Sequence, residues 1–221
     1  MSLQQKPYEY TITYGQTKMK KSRMKFSLKE LGHLSIAAAL VVGVGLSFFG
    51  FEEIYQVGPL ILATTITVLT ISFLLHEIAH KLVAQRRGLW AEFRLTILGA
   101  ALTLLSIFSP LFKIISPGAV MVSGAADVDS MGKVSIAGPA VNIVLSGASL
   151  SLAVFFVQDS AVFSLLMVAA NLNVWIALFN LIPFGMLDGL KIFSWNKRAW
   201  AFAFVASIIL MAFTYWLNSQ V

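Results

Sequence analysis

Long apolar segments separated by short polar ones fill most of the chain. Six of them stand out, near residues 34–51, 58–84, 95–116, 134–157, 161–187 and 199–217. Several approach or exceed the roughly 20 residues with which a helix crosses the hydrocarbon core of a bilayer. The pattern predicts an all-α polytopic membrane protein with five to six transmembrane helices, a re-entrant segment and a small membrane-associated β element.

The segment 95–116 differs from the other five. Pro110 lies within it and Pro117 follows it directly, and proline interrupts a helix because it lacks an amide hydrogen. If this segment dips into the membrane and returns, all sixteen Lys and Arg residues fall in cytoplasmic regions or at cytoplasmic helix ends. If it spans, the basic residues of the 188–198 loop move outside, against the positive-inside rule. The charge pattern therefore favours five crossings and a cytoplasmic N-terminus.

Two stretches have the composition of strands. Residues Tyr8–Tyr14 are rich in β-formers and predict a short strand at the membrane surface. The sequence SPGAVMVSG at 116–124, bounded by Gly and Pro, predicts a second strand in the re-entrant piece. We therefore divide the chain into a cytoplasmic N-terminal segment, 1–33, with the first strand and a basic anchor, and a membrane-embedded domain, 34–221. The whole is expected to be a multi-pass protein of the cell membrane.

The composition fits a membrane protein and narrows its chemistry. Hydrophobic residues make up 58% of the chain and charged residues 12%, about half of the roughly 25% typical of soluble domains. Because the sequence has no cysteine, a transition metal can be held only by His and carboxylate side chains. Much of the net charge of +6 comes from basic residues between positions 18 and 29, just before the first apolar segment. That position indicates contact with anionic lipid headgroups, or a topology signal alone, rather than binding to nucleic acid.

The sharpest chemical signal is the H-E-x-x-H pattern, His76-Glu77-Ile78-Ala79-His80, inside a continuous apolar helix. Side chains four residues apart on a helix project from one face, so the two imidazoles can bind one ion. Glu77 points from an adjacent strip, where it can act as a general base toward a water. Three ionisable groups so close together in a transmembrane helix are costly unless they share a partner. We therefore predict a zinc site.

Catalytic zinc usually takes a third protein ligand. His33 precedes the first apolar segment and is expected at the headgroup boundary instead. Asp188 ends a long apolar run in which Pro183 breaks the helix, so the unwound chain can turn Asp188 toward the histidines. The alternative is that Asp188 merely marks the helix end at the interface. The other downstream carboxylates are expected to be solvated: Glu92, Asp127, Asp129 and Asp159.

Asn142 is a further polar residue at this level, near the start of an outward-running helix. Its amide can donate a hydrogen bond to the oxyanion of a tetrahedral intermediate, or it can bond a neighbouring helix. The residues alone leave both roles open. Asn171 and Asn173 are better explained as contacts between helices.

Three motifs in order resemble the site-2 protease family of intramembrane zinc metalloproteases: HEIAH at 76–80, AGPAVN at 137–142 and NLIPFGMLDG at 180–189. Together they span about half of the chain. H-E-x-x-H alone is widespread, but the ordered set within apolar segments is specific. The family has a membrane-dipping β-hairpin after the first motif helix, and WAEFR at 90–94 and SPGAVMVSG are similar to its strands. The apolar insert between them is longer than a hairpin turn.

The resemblance implies a role for each candidate residue. His76, His80 and Asp188 would ligate Zn²⁺ and Glu77 would activate a water. Asn142 would lie near the scissile carbonyl as a catalytic polar group. Members of the family typically cleave a transmembrane segment of a membrane-anchored regulator near its cytosolic side. The partners implied are therefore a transmembrane protein substrate and the lipid bilayer.

We predict an intramembrane zinc metalloendopeptidase, and two rival functions are weighed against it. One is a membrane metalloprotease with a third Glu ligand that serves soluble substrates, which the apolar setting and the absence of Glu after Glu92 disfavour. The other is a non-proteolytic membrane metal-binding protein, such as a transporter or sensor. That rival explains the histidines and the aspartate but gives Glu77 no special role.

Overall fold

The computed structural model describes residues 25–49, 58–109, 112–156 and 160–220. Several predicted features lie outside these ranges, namely the strand at Tyr8–Tyr14, the basic residues before Lys25, Pro110 and Asp159. The elements in chain order are α1 Leu28–Ser47, α2 Pro59–Arg86, β1 Trp90–Leu95, α3 Ile97–Phe108, β2 Gly118–Ser123, α4 Val128–Phe155, α5 Ser160–Leu181, α6 Asp188–Trp195 and α7 Lys197–Asn218.

The predicted fold class is confirmed. Within the described ranges, five helices are long and apolar enough to cross a membrane: α1, α2, α4, α5 and α7. Helix α3 has 12 residues, about 18 Å of helix, and is too short to span a hydrocarbon core of about 30 Å. A two-stranded sheet formed by β1 and β2 supplies the small β element.

Side-chain caps start two of the spanning helices earlier than hydropathy predicts. The Ser27 hydroxyl accepts a hydrogen bond from the Glu30 amide at 3.1 Å, so α1 begins before residue 34. Asp127 Oδ1 accepts from the Ser130 amide at 2.8 Å, so α4 begins before residue 134. Such caps satisfy amides that have no partner in the first turn of a helix.

The stretch at 188–198, predicted as a loop, is largely helical. Helix α6 occupies it as far as Trp195, and Asn196 then caps α7 by accepting from two backbone amides at 3.0 Å. Trp195 packs on Gly132 of α4, where a Cβ would overlap the indole ring. That packing on α4 holds the short helix against the bundle.

Helix α4 is the centre of the bundle. It packs against α2, α5, α6 and α7, while α1 lies on another side of α2. Helices α1 and α2 run antiparallel, since Gly45 near the end of α1 contacts Ile66 near the start of α2. Near the middle of α2, Phe73 meets Phe93 of β1 edge to face, with ring centroids 6.0 Å apart.

The strands predicted at 90–94 and 116–124 are both present and pair antiparallel. Trp90 lies opposite Ser123 and Leu95 lies opposite Gly118. The apolar insert between the strands consists of α3 and an extended return over 112–117. The chain therefore enters and leaves at the same end, as predicted for a re-entrant segment.

Helix α3 runs along α1. The Leu95 amide, just before α3, donates to His33 Nδ1 at 3.1 Å, in the second turn of α1. Ile107, at the far end of α3, packs against Gly43, where a Cβ would lie 2.7 Å from its Cδ1 atom. The re-entrant piece thus reaches most of the length of α1.

Lys113 lies at the end of the re-entrant piece that is far from the sheet. Its Nζ donates to Ser47 Oγ at 2.9 Å and to the backbone oxygens of Ser109 and Ser106 at 2.8 and 3.2 Å. Ser47 ends α1, about 29 Å along the helix from Leu28. The prediction that every Lys and Arg lies on the side of the N-terminus is therefore wrong for Lys113. The ammonium lies there because it satisfies carbonyls left open at the end of α3.

A buried ion pair, Glu30–Lys81, joins α1, α2 and β1 at the other end. Glu30 is 0% exposed and Lys81 is 1% exposed. Lys81 Nζ bonds Glu30 Oε2 and donates to the Lys25 carbonyl at 2.6 Å, beneath the ring of Phe26. Glu30 Oε1 accepts from the Phe93 amide at 2.9 Å. The two charges are therefore paired and also hydrogen-bonded to backbone.

Replacing Glu30 should destabilise the fold because it leaves the Lys81 ammonium buried without a counter-charge. We expect Glu30→Gln to lower the free energy of unfolding by about 3–5 kcal/mol. Lys29→Gln, an exposed change one residue away, should alter it by less than about 0.5 kcal/mol. Reversible unfolding by SDS in detergent micelles measures both. Equal stabilities of the two variants would contradict a structural role for the pair.

Candidate metal centre

His76 and His80 lie one turn apart on a buried face of α2, with ring centroids 4.7 Å apart. Asp188, the first residue of α6, meets them both. Its Oδ2 lies 3.3 Å from His76 Nε2 and 3.0 Å from His80 Nε2. Among the described His, Asp and Glu residues, these three form the one group whose ligand atoms lie within 4.8 Å of one another. The structure thus brings together residues that lie up to 112 positions apart in the sequence, the distance from His76 to Asp188.

Helix α4 orients both imidazoles. His80 Nδ1 donates to the backbone oxygen of Val134 at 2.7 Å, and His76 Nδ1 donates to Asn142 Oδ1 at 2.6 Å. These oxygens only accept hydrogen bonds, so each Nδ1 carries the proton and each Nε2 is left with a lone pair. Metal-binding histidines in proteins are held in this way by a second layer of acceptors.

The orientation of the Asn142 amide is fixed by its neighbours. Its Nδ2 donates to Asn173 Oδ1 at 2.9 Å, and Asn173 Nδ2 donates to the Ala169 carbonyl at 2.9 Å. The role of Asn173 in contacts between helices is therefore confirmed. Asn142 is 0% exposed, and its Oδ1 and Nδ2 are both engaged by neighbouring helices. The Asn142 amide thus orients the His76 ring, and the catalytic role near a scissile carbonyl stays a prediction.

The chain unwinds between α5 and α6, over residues 182–187, as Pro183 predicts. Gly185 adopts a left-handed conformation with φ of 60°, which favours glycine. A Cβ at Gly189 would overlap the Leu181 carbonyl, so glycine lets the start of α6 lie against the end of α5. This tight return places Asp188 against the histidines.

The carboxylate of Asp188 completes a set of three ligand atoms, one oxygen and two imidazole nitrogens. Carboxylate and imidazole together are a donor set that suits Zn²⁺.

The spacing and the free volume also fit an ion. Two ligands about 2.1 Å from one tetrahedral zinc lie roughly 3.4 Å apart, close to the separations between Asp188 and the histidines. Gly138 of α4 faces the two histidines. A Cβ at this position would lie 2.6 Å from His76 Nε2 and closer still to His80 Nε2. Because Gly138 has no side chain, a space next to the two Nε2 atoms stays free for an ion.

Glu77 lies on the wall of the same pocket, which has a volume of about 60 Å³. The residue is 8% exposed, and its Oε2 has no hydrogen-bond partner among the described residues. A buried carboxylate oxygen without a partner usually has an ordered water or an ion beside it. The position suits a general base facing a water in the pocket.

The remaining candidates lie away from the metal centre. His33 accepts from the amide of the last residue of β1, and Asp127 caps α4. Glu92 pairs with an arginine of the same strand. Asp129 bonds two basic side chains where α2 and α4 meet and accepts from an indole of α6.

Sequence reasoning missed three participants. The carbonyl of Val134 gives no side-chain signal at all. Gly138 lies inside the AGPAVN motif, where a glycine next to a proline suggests only a local break. Lys191 is one turn beyond Asp188, with Nζ 3.6 Å from Asp188 Oδ1. Its i, i+3 spacing becomes informative only once α6 is known to be a helix.

A side chain at position 138 should weaken metal binding strongly while the fold persists. We expect Gly138→Ala to bind Co²⁺ or Zn²⁺ at least 100-fold more weakly, because its methyl group would occupy the space between the imidazoles. Gly147→Ala, on the same helix, is the matched control, since its Cβ would lie 3.9 Å from the nearest atom. Titration of the metal-free protein with Co²⁺, followed by its visible absorption, measures both affinities. Wild-type affinity in Gly138→Ala would refute this location for the ion.

Comparison with known proteins gives one informative match. A protein of Methanocaldococcus jannaschii that carries the provisional name zinc metalloprotease is 30% identical over 185 residues, which are 81% of this chain and 91% of that protein. No protein-family model and no solved structure matches the chain. The name of that protein agrees with a buried group of two histidines and an aspartate that could hold a metal ion. The chain belongs to the same zinc metalloprotease family as the M. jannaschii protein.

Proposed function

We propose that the protein is an intramembrane metalloprotease of the site-2 type. It hydrolyses a peptide bond within or near a transmembrane segment of a membrane-anchored protein. The observation that carries the proposal is the meeting of His76, His80 and Asp188 with Glu77 inside a bundle of apolar helices. A substrate that reaches this pocket has to share the same apolar layer, which favours a membrane-anchored substrate over a soluble one.

The residues divide the chemistry among them. His76, His80 and Asp188 would hold Zn²⁺, which when bound polarises a carbonyl and makes water acidic near neutral pH. Glu77 accepts a proton from water as the water oxygen bonds to the scissile carbon and the carbonyl electron pair moves onto its oxygen. Glu77 then gives that proton to the amide nitrogen as the carbon–nitrogen bond breaks.

One edge of the sheet is open to a substrate. On the outer edge of β1, the amides of Phe93 and Leu95 donate to side chains of α1. Their cross-strand partners, Val120 and Gly118, direct their own backbone groups away from β1. These two residues and Val122 line the metal pocket. An extended substrate can therefore add to β2 as a third strand and present its backbone to the metal centre.

A larger groove continues from the pocket toward the other end of the bundle. It has a volume of about 1650 Å³, lies between α1, α2, α5 and α7, and shares Ile115, Ile176 and Asn180 with the metal pocket. A helix about 10 Å wide and 20 Å long occupies roughly 1600 Å³. The groove therefore suits a helical part of the substrate whose unwound end lies on β2.

Charge supports the orientation proposed for the protein. Basic residues gather at the end of the bundle that holds the metal centre, namely Lys29, Arg86, Arg87, Lys197 and Arg198. By the positive-inside rule this end faces the cytoplasm. We therefore infer a multi-pass protein of the cell membrane with a cytoplasmic N-terminus and cleavage near the cytoplasmic side.

The decisive variant for the proposed function is Glu77→Gln, which removes the base and keeps the shape. It should retain the metal content of the wild type and cleave a membrane-anchored substrate about 10²–10⁴-fold more slowly. Glu92→Gln, the same chemical change on β1, should cleave normally. Metal analysis and a cleavage assay in detergent or liposomes measure these properties. Undiminished cleavage by Glu77→Gln, or none by the metal-loaded wild type, would sink the proposal, and metal transport would then be the function to test.

Strand addition predicts a periodic response to proline in the substrate. Only alternate residues of an added strand direct their amides toward β2, and proline has no amide hydrogen. A proline scan should therefore slow cleavage at every second position along the paired stretch, whereas alanine at the same positions should not. Rates of cleavage across the scan measure this. Equal tolerance of proline at every position would exclude the pairing.

A further inference from the structure

Lys191 places a positive charge at the metal pocket. Among the described residues that line the pocket, it is the one lysine or arginine. The side chain is 44% exposed, and its Nζ lies 3.6 Å from Asp188 Oδ1. Asp188 faces the two histidines through its other oxygen, Oδ2. The ammonium therefore lies beside the carboxylate oxygen that the imidazoles leave free, on the lining of the same pocket.

The donors of Lys191 are available to a substrate. A separation of 3.6 Å exceeds the usual 2.7–3.2 Å of a hydrogen bond from nitrogen to oxygen. No hydrogen bond joins Lys191 to another residue in the part of the chain that the structure describes. Asn142, in contrast, is sealed between helices and bonded through both ends of its amide. Of these two residues, only Lys191 can direct a donor at a group that enters the pocket.

We propose that Lys191 is a catalytic residue, whose ammonium binds the carbonyl oxygen of the scissile bond as that oxygen becomes negative. The inference rests on the proposed proteolytic function and adds to it the group that receives the developing charge. When the water oxygen bonds to the carbonyl carbon, the displaced electron pair on oxygen faces the ammonium. When the carbon–nitrogen bond breaks, the pair returns to the carbonyl and the lysine is unchanged.

Lys191 occupies the role that sequence alone offered to Asn142. The interaction of a positively charged donor with the carbonyl oxygen strengthens as negative charge develops there, so the donor stabilises the transition state more than the bound substrate. The adjoining charge of Asp188 keeps the ammonium near the pocket while no substrate is present. The same pair of residues thus supplies a metal ligand and a cation from one turn of α6.

The test compares Lys191→Met with wild type as the metal-loaded full chain in detergent. We expect kcat to fall about 10²–10³-fold, the loss typical of one oxyanion donor, with KM unchanged. A peptide phosphinate, whose anionic tetrahedral group resembles the hydrated carbonyl, should bind Lys191→Met more weakly by a similar factor in a calorimetric titration. Lys191→Arg should retain most of both properties because it keeps the charge.

Two controls separate this role from others. Lys197→Met removes the same charge from an exposed lysine at the start of α7 and should behave as wild type. Co²⁺ titration of the metal-free protein should give equal affinities for Lys191→Met and wild type. A weaker Co²⁺ affinity with unchanged phosphinate binding would show that Lys191 only positions Asp188, and would overturn the inference.

The remaining outcomes are also decisive. Wild-type kcat in Lys191→Met would overturn the inference and leave the proposed function intact. Failure of the wild type to cleave any membrane-anchored substrate would contradict the proposed function instead. The phosphinate titration would then still decide the role of Lys191, since equal affinities in the two proteins exclude anion binding by its ammonium.

Discussion

The contact of one carboxylate with two imidazoles is the interaction on which the rest of this structure depends. Ionisable groups inside an apolar bundle are costly unless they share a partner, and here α2 and the start of α6 each contribute part of a single cluster. Asp188 reaches the cluster only because the chain breaks after α5, and the histidines face it only because α4 supplies their acceptors. Three separate parts of the chain therefore have to be in place before the site exists.

The same need to satisfy polar groups without water shapes the re-entrant piece. Its extended return would carry unpaired backbone groups into the apolar layer, where only protein can satisfy them. Polar side chains of α3 meet this need. Thr103 Oγ1 accepts from the Ser116 amide at 3.3 Å, and Ser106 Oγ donates to the Ile114 carbonyl at 3.1 Å. The non-helical segment is thus supported on one side by a helix, which leaves its other side available to the groove.

Much of the architecture is visible in the sequence because hydropathy and helix periodicity are local properties. The five long helices, the strand at 116–124 and the H-E-x-x-H pair follow from them, as does the break at Pro183. The strand at 90–94 was expected only from the resemblance to the site-2 protease family. The caps at Ser27 and Asp127 were overlooked because hydropathy says nothing of the polar turn before an apolar run. The helix break at Pro183 suggested that Asp188 could turn toward the histidines, and the fold brings the three residues together.

Other features could not be predicted because they depend on long-range packing. The position of Lys113 requires knowing that α3 follows α1 to its end, and the pairing of Glu30 with Lys81 joins residues on antiparallel helices. Asn142 illustrates a different limit. The sequence shows that a polar side chain lies near the site, but only the neighbouring amide of Asn173 reveals which way it faces.

The two histidines differ in how easily a mutation can remove the hydrogen-bond acceptor that orients them. His76 takes its tautomer from a side chain, which one codon change can remove, whereas His80 takes its tautomer from a main-chain oxygen. No replacement at Val134 that preserves the helix deletes that oxygen. Over evolution, the basicity of the first ligand can drift through position 142, while the second ligand is tied to the backbone of α4. A saturation screen of single substitutions would therefore detect the Asn142 side chain, which orients His76, but not the Val134 carbonyl, which orients His80.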